Sequence, residues 1–488
     1  MSLILGTGQS RRLRAAAVIA VLSLLSLLVA FVPVYDPWAW LVWGREVVAL
    51  DLHTDAGPSW KPLPVMITAL LVPAGGAAPE LWLAIARAGW FAAAALAALL
   101  AARLVFPRRT ATALAVRFAP RRVRAGRATA AVIAAAGIVL LHDEFTSWTR
   151  QFAGGLSEPL LVALVLGAIE RHLALRPVQA FGLGVAAALL RPEAWPLLAL
   201  YGVYLWRLDP RSRRLVVIGG AMVAILWIVP DLLGSGSPLT GAERARGATG
   251  SPPFEALEAI GRSLNLVLVG LLVAAAYAVF SARRDGERAI GVLAAGAVGW
   301  VAIVSVLAAI GFAGLPRFAA PAGAIACVLG GVGVVRIIAA LDGMRGSDPR
   351  RRWALVGAGV LFATLGAQAA IRAAQIPGEV DESLSYGEQV NALSGVVFEL
   401  GDERVAECGP IASTDFATQT ALAWYVDLPI RAISIREKTA PADGTAFIYK
   451  TAPAELERVI ASAGEQVAGR AGWTAIRVSC LERRNERP

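Results

Sequence analysis

The sequence predicts a polytopic α-helical membrane protein with about 11 transmembrane helices and a small C-terminal α/β domain. Hydrophobic residues make up 57% of the 488 residues, and charged residues only 17%. The apolar residues recur in blocks long enough to cross about 30 Å of hydrocarbon. From about Pro377 the composition changes to that of a water-soluble protein. These observations exclude a single soluble globule.

Arginine clusters between the apolar blocks set the predicted orientation. The net charge of +10 would ordinarily suggest a nucleic-acid partner. The Arg residues, however, lie in short loops, where they act as cytoplasmic orientation signals. The loop 107–127 holds seven Arg and no acidic residue. We therefore expect no nucleic-acid partner, and we place this loop and the N-terminus in the cytoplasm.

Each apolar block is assigned by its length and its flanks. The first follows a short Arg cluster but has no clean cleavage site, so we expect a retained anchor. The stretch 62–73 is too short and too rich in Pro to cross, and we expect it at the outer face. The segments 178–190 and 194–206 are short and form either two spans or one broken hairpin. The predicted spans are 15–34, 82–106, 128–142, 157–174, 178–190, 194–206, 215–233, 262–281, 289–311, 318–341 and 353–372.

This topology divides the chain into two domains. Residues 1–372 form the membrane domain, whose first extracytoplasmic loop covers 35–81. Residues 373–488 form the C-terminal domain, which an odd number of spans places outside the cell. A region of this length is enough for a core of its own. We thus expect a multi-pass protein of a bacterial plasma membrane, with a cytoplasmic N-terminus and an extracytoplasmic C-terminal domain.

Alternating and helical patterns predict the elements of the C-terminal domain. Strands are expected at RVAEC, RAISI, TAFIYK and WTAIRVSC, and helices at SYGEQVNALSGVVFEL, FATQTALAWYV and PAELERVIASAG. Cys408 and Cys480 fall in this domain, whereas Cys327 lies inside a predicted span. The first two either form a disulfide in an oxidising compartment or remain free thiols.

The first extracytoplasmic loop concentrates polar chemistry at the membrane face. Residues 35–64 combine four acids and four Trp with one Lys and one His. Asp36 follows the first span and precedes Pro37, which favours a helix start at this point. Its carboxylate can act as a general base toward an acceptor hydroxyl, bind a metal ion, or simply cap the helix. His53 is a candidate substrate-binding residue of the same loop.

Two further acidic segments are predicted on the same side. Asp143 and Glu144 follow His142 at the end of the third span, and Glu158 opens the fourth. Facing one another, these segments would form a cleft in which Asp143 is a second catalytic candidate. The alternatives are a solvated loop at Asp143 and, for Glu158, a favourable position in the first turn of a helix.

Several charged residues interrupt apolar runs near the outer boundary. Arg191, Glu193 and Arg317 each lie at such a point, and Lys61 adds a cation in the first loop. A guanidinium group presents a planar fork of donors that matches a phosphate. Together with Glu158, these residues are the predicted binding residues for a donor phosphate or substrate. The alternatives are an internal ion pair between Arg191 and Glu193 and a snorkelling Arg317.

The order and sidedness of these segments resemble the integral-membrane glycosyltransferases of the C-type fold. The resemblance rests on the Asp outside the first span, an outer amphipathic helix, KPLPVMITALL, a Gly-rich turn and ELWLAIARAGWFAAAALAALLAARLVF. The segments SEPL, LLRPEAWPLLAL, GSGSPLTGAERA and GLPRFAAPAGAIA are similar to elements of actinobacterial members that use polyprenyl-phosphate sugars. The resemblance covers residues 1 to about 372.

The resemblance also implies roles for the acidic residues. Asp36 matches the first-loop carboxylate taken as catalytic base, and Asp143 with Glu144 lie where a second acid is often found. Many relatives carry two adjacent acids in the first loop, whereas Pro37 follows Asp36 here. A divalent cation at this site is therefore left open.

The resemblance implies roles for the charged residues near the outer boundary as well. Arg191 and Glu193 match an Arg-Pro-Glu element, and Arg317 matches an Arg that commonly precedes an aromatic residue and a Pro. The expected reaction is sugar transfer from a polyprenyl-phosphate donor to a cell-envelope glycan, lipid or protein. Asp36 would be the base, while Arg and Lys side chains hold the donor phosphate.

Other classes of function remain as alternatives. A non-catalytic scaffold of envelope assembly would use the outer domain and leave Asp36 dispensable. A polyprenyl-lipid transporter or flippase would also need many spans, but it more often shows repeats and polar residues at mid-bilayer. A hydrolase or ligase acting on a lipid-linked glycan is a closer variant that the same outer cleft could support. The ranking is enzyme first, scaffold second and transporter third.

Overall fold

A computed structural model describes residues 2–106, 120–142, 147–246, 252–346, 348–401, 405, 409–436, 444–449 and 465–478. Its membrane domain is a bundle of helices joined by short turns. In chain order these are α1 (Ser2–Leu25), α2 (Tyr35–Ala49), α3 (Pro62–Leu71), α4 (Ala78–Leu104), α5 (Pro120–Val139), α6 (Trp148–Gly154), α7 (Glu158–Leu173), α8 (Pro177–Ala188), α9 (Trp195–Leu208), α10 (Arg213–Ser235), α11 (Thr240–Ala245), α12 (Pro252–Asn265), α13 (Val269–Arg284), α14 (Arg288–Ala309), α15 (Ala320–Gly343) and α16 (Pro349–Leu400).

Several of the predicted spans fall on single helices. The spans 82–106, 157–174 and 215–233, for example, correspond to α4, α7 and α10. Of the described helices, five are long and apolar enough to cross a membrane, and up to seven if each bent pair counts as one span. Length and composition thus make the chain a multi-pass membrane protein. The short apolar stretch 62–73 is a separate helix, α3.

The span predicted at 262–281 is not one straight helix, because α12 and α13 meet there at a bend of 90°. A break in a helix frees backbone groups that must find new partners. The guanidinium group of Arg372 donates to the carbonyl oxygens of Leu140 and Leu266. The amide of Gln368 accepts from the backbone N–H of Val269. Two side chains of α16, about 100 residues away in sequence, therefore stabilise the bend.

The last span and the helix predicted at 385–400 form one continuous helix. It is α16, which has 52 residues and contains Pro377 in its interior. A Pro removes one backbone hydrogen bond and usually ends a helix. Both halves of α16 have partners in the fold, since Glu382 pairs with Arg150 beyond the Pro and Arg372 contacts the membrane domain before it. The helix thus continues across the predicted domain boundary at residue 372, and the C-terminal sheet packs against its end.

The C-terminal domain is a five-stranded sheet packed on the end of α16. Its strands are β1 (Ile411–Ser413), β2 (Ile433–Ile435), β3 (Gly444–Tyr449), β4 (Glu465–Arg470) and β5 (Trp473–Val478), in the order β2-β1-β3-β5-β4. The strand β1 is parallel to β2 and β3, whereas β5 is antiparallel to β3 and β4. A short helix, α17 (Gln419–Tyr425), crosses from β1 towards β2.

The predicted strands RAISI, TAFIYK and WTAIRVSC correspond to β2, β3 and β5. The strands β1 and β4 were not predicted. The predicted helix PAELERVIASAG, most of the predicted strand RVAEC, and both Cys408 and Cys480 lie outside the described residues. Cys327 is buried within α15.

Helix α2 is held between the sheet domain and α3. On one side, the hydroxyl of Thr420 donates to the carbonyl oxygen of Tyr35 over 2.8 Å. Arg45 forms an ion pair with Asp427 and donates to the carbonyl oxygen of Leu428. On the other side, the hydroxyl of Thr68 donates to the carbonyl oxygen of Trp40. The position of the first turn of α2 therefore depends on both domains.

Replacement of Arg45 by Met is expected to loosen this junction, because the variant loses an ion pair and hydrogen bonds to two carbonyl groups. Hydrogen exchange of the backbone amides of 424–430 should become about tenfold faster. The control is Arg262→Met, which removes an ion pair on an exposed helix face. Equal exchange in the two variants would show that Arg45 does not hold the domains together.

Candidate functional site

Asp36 lies in the first turn of α2, but it does not cap the helix. The capping position is occupied by Val34, whose backbone is extended and which makes no side-chain cap. The carboxylate of Asp36 instead lies 3.2 Å from the ammonium group of Lys61. Asp36 is therefore available for interactions across the site, and the capping alternative is wrong.

Lys61 precedes α3 and is almost completely buried. Its backbone is extended, and Pro62 begins the helix immediately after it. The ammonium nitrogen lies 4.9 Å from the centroid of the Trp40 ring, within reach of a cation–π interaction. Burial lowers the pKa of Lys61, while the negative charges of Asp36 and Glu158 oppose that shift. The loop thus presents a desolvated cation directly beside a carboxylate.

A second charged group lies at the starts of α7 and α15 and in the turn between α8 and α9. Glu158 is fully buried, and its Oε1 lies 2.8 Å from Nη2 of Arg191 and 3.8 Å from Nε of Arg317. The carboxylate of Glu193 lies 3.8 Å from Nη1 of Arg191. The guanidinium group of Arg191 also stacks on the Phe318 ring at 3.7 Å from its centroid. Glu158 therefore fixes two guanidinium groups in place.

Backbone and indole hydrogen bonds bring the two charged groups to the same end of the bundle. The N–H of Leu63 donates to the carbonyl oxygen of Leu189, which joins α3 to the end of α8. The indoles of Trp195 and Trp227 both donate to the carbonyl oxygen of Ala188. Lys61 is consequently close enough to interact electrostatically with Glu158, Arg191 and Arg317. Between α8 and α9 the backbone of Arg191 is extended, and a short 3-10 turn at Pro192–Ala194 follows it.

The site retains hydrogen-bonding capacity that the described residues do not use. Among these site residues, four buried atoms have no hydrogen-bond partner in the described part of the chain: Glu158 Oε2, Arg191 Nε, Glu193 Oε2 and Arg317 Nε. Buried polar atoms in proteins are normally paired with protein groups or with water. This geometry suits a polar ligand that carries oxygen atoms.

Other predicted site residues lie elsewhere. His53 is wrong as a member of this site, since it contacts Glu46 and Asp51 beyond the other end of α2. His142 lies 3.5 Å from Glu379 of α16. Asp143 and Glu144 lie outside the described residues. The described residues contain no group of three or more His, Cys, Asp or Glu side chains placed to hold a metal ion.

Asp231, near the end of α10, was not singled out from the sequence. It is buried, and its Oδ2 accepts a hydrogen bond from the N–H of Gly241 over 2.7 Å. The carbonyl oxygen of Gly241 accepts in turn from the hydroxyl of Ser59, two residues before Lys61. Asp231 thereby positions the loop that carries Lys61. An acid at the end of the apolar run 215–233 was the signal that could have identified it.

The cluster of Glu46 and His53 adds a pH-dependent contribution to stability. Burial raises the pKa of Glu46 from 4.5 to about 7, and a hydrogen bond from the N–H of His53 partly opposes the shift. The folded chain then keeps a proton that the unfolded chain loses. Stability should therefore fall as the pH rises from about 4.5 to about 7.

Replacement of Glu46 by Gln removes this ionisation and keeps an acceptor for His53. At pH 8 the variant should melt about 2 °C above the parent, and at pH 5 the two should melt together. The measurement is the apparent Tm of the purified protein in detergent, with Glu258→Gln as the control at an exposed acid of α12. A difference in Tm that does not change with pH would disprove the assignment.

Comparison with known proteins identifies the fold. No protein-family model matches the sequence, and no curated protein matches it. The structure is similar to crystal structures of ArnT from Cupriavidus metallidurans. The apo form has a TM-score of 0.50 at 13% identity, and the form bound to undecaprenyl phosphate a TM-score of 0.56 at 12% identity. Each alignment covers 96% of this chain and 98% of ArnT.

The chain shares the overall fold of ArnT. The alignment extends over both the membrane domain and the C-terminal sheet domain, because it leaves only 4% of the chain uncovered. At this low identity the similarity concerns the fold. It confirms the predicted fold class, a polytopic helical membrane domain with a small α/β domain at its C-terminus.

Proposed function

We propose that this protein is a membrane glycosyltransferase that moves a hexosyl or pentosyl group from a polyprenyl-phosphate donor. The acceptor is a hydroxyl-bearing glycan, lipid or protein of the cell envelope, at the outer face of a bacterial plasma membrane. The observation that carries the proposal is the meeting of the Asp36–Lys61 pair with Arg191 and Arg317 at one end of the bundle. One ArnT structure with the same fold contains undecaprenyl phosphate.

The cations of the site account for the binding of a lipid phosphate. Arg191 and Arg317 are already desolvated and oriented by Glu158, so they lose little conformational freedom when a phosphate binds. Lys61 supplies a third positive charge. A phosphate in this position competes with Asp36 for the ammonium group of Lys61 and frees a carboxylate oxygen. Binding of the donor thus prepares the base.

The reaction itself follows as a single displacement. The acceptor oxygen forms a bond to the anomeric carbon, and the bond from that carbon to the phosphate oxygen breaks. The acceptor proton moves to Asp36, and the bonding electrons leave with the polyprenyl phosphate. The leaving phosphate needs no proton, because the cations stabilise its additional negative charge. We expect inversion at the anomeric carbon.

The charges of the site fit this sequence of events. Three cations, Lys61, Arg191 and Arg317, balance three carboxylates, Asp36, Glu158 and Glu193. Transfer of a proton to Asp36 leaves the cluster with one net positive charge. The phosphate changes from a diester to a monoester in the same step and gains a negative charge. The site therefore stabilises the charges of the products more than those of the substrates.

The proposal is tested with the purified chain in detergent, supplied with polyprenyl-phosphate hexoses and pentoses and an envelope extract as the source of acceptor. Release of polyprenyl phosphate is the measured quantity. The parent should turn over at least one donor, and Arg317→Ala should lower kcat/KM about 100-fold. The matched control is Arg284→Ala, at a cation remote from the site. Absence of turnover with every donor would contradict the proposal and favour a scaffold.

A further inference from the structure

A cavity of about 710 Å³ lies between α7, α8, α9, α14 and α15. Most of its wall consists of small or branched apolar residues, among them Ile169, Gly184, Val292 and Gly296. Ligand cavities of this size bind molecules with a substantial apolar part. The reaction proposed above assigns no role to this wall.

One end of the cavity is polar. His172, Tyr201, Tyr204 and Arg288 all line it. Nδ1 of His172 lies 2.9 Å from the hydroxyl of Tyr201, and the rings of His172 and Tyr204 pack edge to face. Within the described part of the chain, the guanidinium group of Arg288 and the hydroxyl of Tyr204 have no hydrogen-bond or ion-pair partner. Two donors are thus free at one mouth of an apolar cavity.

This polar end lies far from the candidate active site. Glu158 begins α7, whereas His172 lies near its end, about 20 Å along the helix axis. At the other end of the cavity, the indole of Trp300 donates to the carbonyl oxygen of Phe318, whose ring stacks on Arg191. The cavity therefore extends from the neighbourhood of the site towards the opposite membrane face, and Arg288 marks its far mouth.

We propose that the cavity binds an anionic phospholipid of the leaflet opposite to the active site. Its phosphate interacts with Arg288 and Tyr204, and one acyl chain occupies the apolar part. A guanidinium group with a phenolic donor beside it matches the oxygen atoms of a phosphate. A polyprenyl chain whose phosphate lies at Arg191 and Arg317 would enter tail first and leave both donors unused. The charge at the far mouth thus favours a lipid that enters from that side.

The head-group part of the proposal is tested by native mass spectrometry of the full chain in detergent. Phosphatidylglycerol is titrated against phosphatidylcholine with the same acyl chains. Arg288→Gln should raise the apparent Kd for phosphatidylglycerol about tenfold and that for phosphatidylcholine only about threefold, because the choline ammonium group already offsets the charge of the phosphate. Arg284→Gln, at a neighbouring exposed cation that does not line the cavity, should change either Kd less than about twofold.

The tail part is tested with a pair of glycines on α14. A side chain at either Gly291 or Gly296 would meet open space, but only Gly296 lines the cavity. Gly296→Leu should weaken both phospholipids about tenfold, whereas Gly291→Leu should weaken neither. Equal effects of the two Arg variants, or of the two Gly variants, would overturn the proposal. So would competitive displacement of phosphatidylglycerol by undecaprenyl phosphate, which would assign the cavity to a polyprenyl tail.

Discussion

Replacement of Asp36 by Asn should lower the turnover of the donor about 1000-fold. The amide keeps the size and polarity of the side chain, but it cannot take the proton of the acceptor hydroxyl. It also no longer attracts the ammonium group of Lys61, which lies 3.2 Å from the carboxylate in the parent. The loss should therefore appear in kcat and not in the binding of the lipid phosphate.

The experiment compares kcat and KM of Asp36→Asn with those of Asp51→Asn, an exposed acid of the same loop. The control variant should keep the activity of the parent. Turnover of Asp36→Asn within about threefold of the parent would remove this residue as the base. Equal losses in the two variants would point to a general effect of charge in the loop.

Replacement of Arg191 by Met should destabilise the protein by about 3–5 kcal/mol, the largest effect on stability that we expect. Glu158 is fully buried and lies 2.8 Å from Arg191. Without that partner, its carboxylate keeps only the more distant charges of Arg317, at 3.8 Å, and of Lys61. Since one partner of a buried ion pair is removed, the cost of the remaining buried charge dominates.

The measurement is the apparent Tm of the purified variant in detergent, compared with Arg262→Met at an exposed ion pair. A second substitution, Glu158→Leu, should restore much of the Tm that Arg191→Met loses, because it removes the uncompensated carboxylate. The double variant should nevertheless remain inactive. Equal Tm values for Arg191→Met and Arg262→Met would show that Glu158 does not depend on Arg191.

The fold could be predicted to the extent that it depends on local composition. Apolar blocks and Arg-rich loops predicted the positions of most helices, because both signals are contained in short stretches of sequence. The bend after α12 could not be predicted, since it depends on Arg372 and Gln368 of a distant helix. The continuation of α16 through Pro377 likewise depends on contacts that form only in the folded chain.

The sequence indicated which residues belong to the candidate site, but it did not indicate which of them contact one another. Asp36, Lys61, Arg191 and Arg317 stood out as polar residues at the ends of apolar runs. The pairing of these residues with one another and with Glu158 could not be predicted, because the contact of Glu158 with Arg317 joins segments about 160 residues apart. The assignment of His53 failed for the opposite reason. It is a close neighbour of Lys61 in sequence, but the segment between α2 and α3 places His53 beside Glu46 and Lys61 beside Asp36, towards opposite ends of α2.

The proposed function requires a single phosphate site, formed by Lys61 of the first loop together with Arg191 and Arg317. The most direct test is the Kd of undecaprenyl phosphate for the parent and for Lys61→Gln, Arg317→Gln and Asp36→Asn, all in the same detergent. We expect the two cation variants to bind about tenfold more weakly and Asp36→Asn to bind at least as tightly as the parent. Equal affinities for all four proteins would contradict the account.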